Sequence, residues 1–469
     1  MIWNSQNNFN RMKKDVVVIG AGLTGLTLAY YMKKEGKNVL VIEKSARIGG
    51  VIETITEDEF TYECGPSTGV LGSIEIIELF HELASKCKLQ IANQDAKKRL
   101  IWKTTRWHAL PSGLMSAIGT TLFSWYDKFR ILGEPFRPKG GSPDESVADM
   151  VVRRLGKSFL HYAVDPFISG VYAGDPEKLI TRHALPKLYN LENSYGGFVK
   201  GTIAIHKGVK PDKPYSHKHK VTREVFSVQG GLKNLIQALA TEIGEENIIT
   251  SCQQAQIQPV ASGFTTQFST LNSELITINS TNVVSTIGGF ALPELIPFAT
   301  DEQLFHLSDT TYAPVIQVAV GYKNWLGIKL DAFGGLISSK ANRQILGVLF
   351  PSAIFAQRAP ENGAMLSVFV GGMRKPESIL LSDEEIKKLV LSELEITMKT
   401  NAEPDLIRIF RYQHAIAQYD IKSEDRKNTI SAIESAYPGL VLAGSIRDGI
   451  GMSDRVKQAK SIALKICDL

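Results

Sequence analysis

The chain has 469 residues, 43% of them hydrophobic and 22% charged, proportions that exclude an intrinsically disordered protein. That length exceeds one ordinary core, so two or three domains are expected. A net charge of +5, from 53 basic and 48 acidic residues, gives no case for nucleic acid and suits an anionic substrate or an anionic membrane surface.

The first eleven residues are polar and Asn-rich. They read as a disordered lead-in rather than a secretory signal, with Met12 as an alternative start. The apolar run Val16–Ile19 predicts a strand. Gly20-Ala21-Gly22-Leu23-Thr24-Gly25 follows it, then a helical stretch to Lys34, then a second apolar run, Asn38 to Ile42, ending in Glu43. Strand, glycine turn, helix, strand and acid is the order of a dinucleotide site. Gly20 permits the turn, Gly22 clears space for a pyrophosphate, and Gly25 lets helix and strand approach. The helix N–H groups face the phosphates, and Glu43 is placed to accept from ribose hydroxyls. After Glu43, Gly49 and Gly50 again let backbone approach a ligand, and Arg47 is placed to neutralise a phosphate.

Phe60 to Thr68 leads from a strand into a turn, and Ser73 precedes a predicted helix, Ile74 to Ser85. Residues 100–135 crowd Trp102, Trp107, Trp125, Tyr126 and Phe129 together. This reads as the core of a helical subdomain, or as an amphipathic surface dipping into a membrane interface; both can hold at once. A helix is predicted from Ser146 to Leu160, then a glycine- and proline-punctuated loop from Asp165 to Pro176. Residues 206–223 mix six Lys/Arg with three His. Because His206, His217 and His219 do not match a metal-ligand spacing, a mobile basic loop is expected, with anionic lipid as one use. The middle of the chain predicts a strand and Gly-Gly turn over 224–232, a helix from Lys233 to Ile243, strands at 283–287, 315–321 and 365–371, and a helix from Asp383 to Lys399. Cys64, Cys87, Cys252 and Cys467 are widely spaced and read as four reduced thiols. No run of 18 apolar residues predicts a membrane span.

The chain closes on a strand, Leu440 to Ala443, a loop from Gly444 to Met452, and a helix from Ser453 to Ile466. A helix start carries unpaired N–H donors and about half a positive charge. Beside the opening motif, this unit points to a flavin whose pyrimidine edge faces that helix start, where an anionic reduced ring is stabilised. Glycine-marked ends around a β-rich middle imply a second domain inserted into the first.

The runs VVVIGAGLTGLTLAYYMKKEGKNVLVIEKSARIGG and LVLAGSIRDGIGMSD resemble the flavin-containing amine oxidase superfamily. Within it, DPFISGVYAGDPEKLITRHALPKL at 165–188, VFSVQGGLKNLIQAL at 225–239 and RLIW followed by ALPSGL at 99–114 resemble the oxygen-dependent protoporphyrinogen oxidases. The resemblance implies an α/β fold: a Rossmann-like FAD-binding domain, an inserted β-rich (α+β) substrate domain and a helical membrane-binding subdomain. The expected FAD-binding segments are 12–90, 224–290 and 436–469, with the helical membrane-binding and substrate subdomain at 91–223 and the substrate-binding domain at 291–435. The implied reaction takes protoporphyrinogen IX to protoporphyrin IX by repeated two-electron steps, with electrons passing through FAD to O2 and giving H2O2, in haem biosynthesis. Coproporphyrinogen III is the alternative substrate.

By the same resemblance, Gly20, Ala21, Gly22, Leu23, Thr24 and Gly25 hold the pyrophosphate, and Glu43, Lys44, Arg47, Gly50 and Val51 belong to the cofactor site. Gly65, Pro66, Ser67 and Thr68 lie beside the flavin, Ala255 meets the adenine end through its backbone, and Gly444, Ser445, Ile450, Gly451 and Met452 form the closing flavin loop. Arg99 pairs with a carboxylate of the substrate, and the Gly170 carbonyl faces the tetrapyrrole. Ser67 stands where many family members carry Arg or Asn. No acid–base residue is expected, because placing a meso carbon over flavin N5 suffices; no metal is expected. A cytoplasmic protein is expected, with peripheral contact on the cytoplasmic face of the membrane and hand-over to a ferrochelatase as its partner readings; the sequence does not fix the oligomeric state, a homodimer being one reading. The competing readings are an amine oxidase or desaturase on the same fold, and a flavin-binding or haem-delivery partner without turnover.

Overall fold

The computed structural model describes residues 13–111, 113–206 and 221–467. The polar lead-in with Met12 and residues 207–220, the bulk of the Lys/His-rich segment, lie outside the described residues.

Val16, Val17 and Val18 are apolar in succession because the strand Lys13–Ile19 is covered on both faces. It pairs in parallel with Val39–Ile42 on one side (Val16 opposite Val39) and with Leu275–Ser285 on the other (Val17 opposite Val283). Leu440–Leu442 then pairs in parallel with 283–285, and Ile248–Ile249 with 41–42. Two antiparallel strands, Gly263–Ser269 and Gln253–Val260, extend the sheet. The helices Leu23–Lys34, Lys233–Ile243 and Met452–Ile466 bury one face through Leu26, Met32, Leu235, Leu239, Val456 and Ile462. Leu292, Ile296, Ile430 and Ile433 close the other.

A second seven-stranded sheet runs in the order Leu406–Ala417, Tyr312–Tyr322, Ala364–Gly371, Ile345–Leu349, Gly334–Ile337, Arg99–Lys103, Arg106–Ala109. Its pairings are antiparallel except that of Gly334–Ile337 with Arg99–Lys103. The helix Asp383–Met398 packs Ile386, Val390, Leu394 and Met398 on it.

Two expectations are corrected. The aromatic crowd at 100–135 is not one helical core. Trp102 and Trp107 lie on two strands joined by a short turn at Thr104, φ +59°, and sit opposite each other in a hairpin of the second sheet, rings 5.0 Å apart. Helix is confined there to Leu114–Gly119 and Trp125–Leu132. The second correction concerns 146–176. The helix Val147–Arg154 stops before Gly156, whose φ is +99°. A second helical run then occupies Lys157 to Tyr172, with wide turns at Leu160–Val164 and Ile168–Tyr172, and ends at Ala173. The loop read at Asp165–Pro176 is thus mostly helix. Pro166, which lacks an N–H, falls where the register changes, and wide turns tolerate such a residue. Asp165 fastens the run by accepting from the Ser339 N–H at 2.8 Å and from Arg374.

The helices beyond Trp125 are joined by a buried ion pair. Arg154 Nη2 lies 2.7 Å from Glu134 Oε1, and both side chains are fully buried. Glu134 also accepts from the Phe198 and Val199 N–H groups, at 2.9 and 3.0 Å. No helix among the described residues is long and apolar enough to cross a membrane.

Candidate cofactor and substrate site

The opening turn lies at the carboxyl end of the first strand. Gly20 has φ +100°, a conformation side chains resist, and its N–H donates to Ile42 O at 2.8 Å. A Cβ on Gly25 would stand 1.9 Å from Gly20 O, so helix and turn meet only through glycine. A Cβ on Gly22 would meet nothing within 4 Å. Gly22 caps the helix without a side chain, leaving the N–H groups around Leu23 and Thr24 without a side-chain acceptor there. Open space in front of such a helix start suits a phosphate. Gly49 pairs with Gly22 and donates to Ala21 O at 2.8 Å, and Gly50 lies against Gly22.

Glu43 is held by backbone: Oε2 accepts from Ala21 N at 2.7 Å and Oε1 from Ser45 N at 2.8 Å. Each oxygen retains a lone pair for a further donor. Arg47 lies 3.2 Å from Glu53, so its charge already has a partner. Lys44 is exposed, and its carbonyl accepts from Gln253. Ala255 lies in a bulge, where strand pairing shifts between Gln253 and Gln256. Cys252 N donates to Glu43 O at 2.8 Å, which ties that strand to the acid's own backbone.

Val51 and Gly65 touch: a Cβ on Gly65 would fall 2.1 Å from Val51 O. The segment after Cys64 is fixed by Tyr412 Oη donating to Cys64 O (2.8 Å) and Gln317 Nε2 donating to Glu63 O (2.7 Å). The Glu63 carboxylate is buried, with Arg358 at 3.1 Å and Thr54 Oγ1 at 2.6 Å. Burial pushes its acid upward against those donors. Burial, with Glu53 and Glu63 nearby, pushes the Cys64 thiol up to about 12, so it stays a neutral thiol. Beyond Pro66, Ser67 Oγ is buried without a hydrogen-bond partner among the described residues, an orphaned polar atom that fits a cofactor contact; Thr68 follows it.

Thr286 joins this region to the closing loop. Its Oγ1 donates to Ile19 O at 3.0 Å or Gly20 O at 3.2 Å, and its own carbonyl lies against Gly444. The helix Met452–Ile466 starts at Gly451, which has no capping side chain and whose own N–H donates to the Asp454 carboxylate at 3.2 Å. Four of the loop carbonyls before it are met by side chains: Tyr419 Oη stands 2.9 Å from both Ser445 O and Gly449 O, Arg426 Nε donates to Ile446 O at 2.9 Å, and Arg455 donates to Asp448 O. A peptide N–H points opposite its carbonyl. The N–H groups of Ile446 and Ile450 therefore face away from those donors. Burial lowers the affinity of Arg426 and Arg455 for their protons and raises the Tyr419 hydroxyl. Ile450 packs against the core that holds Tyr419.

Arg99 and Gly170 meet the same strand. Arg99 pairs with Gly334, and a Cβ on Gly170 would fall 2.3 Å from Leu336, two residues on. The Arg99 guanidinium sits 5.9 Å from the Phe333 ring centre and makes no ion pair among the described residues. Lys98, not Arg99, takes the neighbouring Asp331, at 2.9 Å. Gln418 links the two halves: its Nε2 donates to Tyr172 O at 2.9 Å, while the next residue, Tyr419, holds the closing loop.

Sequence reasoning missed Tyr419, Arg426, Thr286 and Glu63. Only Arg426 left a signal, because it shares a helical face with Ile430 and Ile433, where a charge is out of place.

The family model for flavin containing amine oxidoreductase matches residues 23–458. Protoporphyrinogen oxidase 2, chloroplastic/mitochondrial, of Arabidopsis thaliana is 27% identical, covering 94% of this chain and 92% of that protein. Coproporphyrinogen III oxidase of Bacillus subtilis (strain 168) is 26% identical, covering 96% and 97%. A crystal structure from Exiguobacterium sp. 255-15 shares the fold, with TM-score 0.79 and 23% identity over 97% of this chain and 98% of that one.

Proposed function

This chain belongs to the flavin containing amine oxidoreductase family, and on that premise we propose that it is an FAD-dependent oxidase converting protoporphyrinogen IX to protoporphyrin IX, with O2 as acceptor and H2O2 as product. The observation that carries the substrate class is the helical run ending at Tyr172, which lays Gly170 on the strand that also pairs with Arg99. A guanidinium without an ion pair among the described residues, beside half-buried glycine backbone, suits a flat macrocycle bearing carboxylates. Bound flavin would supply a two-electron acceptor for an electron-rich meso carbon. Arg99 binds a propionate in bidentate geometry and keeps it off the reacting carbon. Gly20 to Gly25 would hold the pyrophosphate and Glu43 the ribose, while the helix start at Met452 would stabilise negative charge on the reduced ring. The product is a porphyrin ready for metal insertion by a ferrochelatase.

Incubation with protoporphyrinogen IX in air tests the reading. Porphyrin fluorescence should rise well above the autoxidation control, with matching H2O2; no excess fluorescence sinks it. Arg99→Ala is expected to raise KM about tenfold, the worth of one charge-assisted pair. Its flavin content should stay at the wild-type level; loss of flavin with unchanged KM would count against Arg99 as the propionate partner. The Bacillus relative, matched over nearly its whole length, favours a second substrate, coproporphyrinogen III. Parallel rates on the two porphyrinogens decide between them.

The enzyme works as a peripheral protein on the cytoplasmic face of the membrane. Trp125, Tyr126, Phe129, Leu132 and Phe136 are exposed, from 63% for Trp125 to 87% for Phe136, and Lys128 stands 4.5 Å over the Trp125 ring. Apolar rings with a basic fringe suit an anionic interface. Changing Phe129, Leu132 and Phe136 to Ser together should cut co-sedimentation with anionic vesicles roughly tenfold or more, at about 1.5 kcal/mol or more per side chain inserted. Unchanged co-sedimentation would remove this surface from the membrane reading.

A further inference from the structure

Three arginines surround the closing loop, and they differ in one respect. Arg447 pairs with Glu434, and Arg455 has Asp448 at 3.3 Å. Arg426 has no carboxylate within 4.0 Å among the described residues, although it is only 1% exposed. Its donors end on neutral groups: Ile446 O at 2.9 Å, Ser423 Oγ at 3.1 Å and Gln418 O at 3.5 Å. Asp420, the acid that acts on it from further off, is engaged with Thr311 Oγ1 at 3.1 Å and with Lys422 N.

A buried charge without a counter-ion is costly, and a guanidinium does not escape by losing its proton. Packing does not require it, because Ile430 and Ile433 fill the same helical face with apolar groups. An uncompensated cation behind the loop lowers the energy of an anion on its other side. The oxidised flavin ring is neutral and the reduced ring anionic, so the two redox states feel this charge differently.

We infer that Arg426 is a positioning residue that also acts electrostatically. It anchors the 444–452 loop through Ile446, and its unpaired charge raises the reduction potential of the flavin held there. The inference rests on the cofactor site proposed above. It extends to a residue outside the cofactor motifs that reaches the loop through Ile446 O, and it separates charge from mere support. Support alone changes the affinity for both redox states equally and leaves the potential where it was.

The test is a reductive titration of the purified holoenzyme against a reference dye, with flavin dissociation constants for wild type, Arg426→Gln, Arg426→Lys and Ser423→Asp. Arg426→Gln should weaken reduced flavin relative to oxidised flavin about tenfold, a potential lower by ~30 mV for a two-electron couple. Arg426→Lys keeps the charge and should keep the potential near wild type, even where total affinity falls. Ser423→Asp leaves Arg426 in place and gives it a counter-ion, so its potential should fall with that of Arg426→Gln. This variant carries the test should the neutral one not fold. Unmoved potentials in Arg426→Gln and Ser423→Asp, or an equal fall in Arg426→Lys, would overturn the inference. A wild-type protein that holds no flavin overturns instead the site reading beneath it.

Discussion

Gly22→Asp should yield a folded protein that no longer retains flavin. Position 22 caps the opening helix with extended backbone, φ −75° and ψ −179°, and a Cβ there meets nothing. Aspartate is among the residues favoured at such a cap, worth about 1 kcal/mol over a residue that cannot cap. The flavin-free fold is therefore expected to be as stable as wild type or slightly more so. For the pyrophosphate the sign is opposite: two like charges roughly 4 Å apart at an effective dielectric near 20 repel by about 4 kcal/mol. With tenfold per 1.4 kcal/mol, affinity should fall roughly 100-fold or more. Flavin absorbance after gel filtration and the thermal midpoint of flavin-free protein report the two effects separately. Gly25→Ala is the contrasting variant. Its Cβ would stand 1.9 Å from a backbone oxygen, so stability and flavin should fall together. Retention of flavin by Gly22→Asp would move the pyrophosphate away from this turn.

Arg154→Met should give the largest loss of stability, confined to the helices between Trp125 and His206. It leaves the Glu134 carboxylate buried with two backbone N–H donors and no cation at its side. Breaking a buried pair from one side costs about 3–5 kcal/mol. The guanidinium's bonds to Arg137 O (2.9 Å) and Gly196 O (2.6 Å) go with it. Neither sheet contributes to this cluster, so the flavin spectrum should survive while limited proteolysis cuts within 125–206. A second change, Glu134→Leu, removes the stranded charge and should restore part of the lost resistance. Wild-type protease resistance in Arg154→Met would show that the pair carries little of the subdomain's stability.

How far the site was legible depends on whether its signal was local. The opening turn was legible because strand, Gly20, Gly22, Gly25 and Glu43 lie within one short run whose order has a physical reason. The closing unit was legible for the same cause. The hairpin holding Trp102 and Trp107 was misread because bulky aromatics drew attention away from the short turn at Thr104 between two runs of strand length. Asp165 to Tyr172 was misread because Pro166 and Gly170 ordinarily break helices, and nothing local announces that wide turns absorb them. Tyr419 and Glu63 left no trace at all: each acts on a segment distant in sequence, and only tertiary pairing brings donor and carbonyl together.

The first sheet has a consequence for how the chain is made. Its five parallel strands come from residues 13–19, 39–42, 248–249, 275–285 and 440–442, and the face under Leu26 and Met32 is finished by Val456 and Ile462. Pairings this distant in sequence are slow to form, since the loop entropy must be met first. On the ribosome, the first strand meets its second neighbour only when residues 275–285 emerge, and its apolar face is finished only by the final helix. The nascent chain thus spends a long part of its synthesis with an open strand edge, a state that binds chaperones more readily than it binds cofactor.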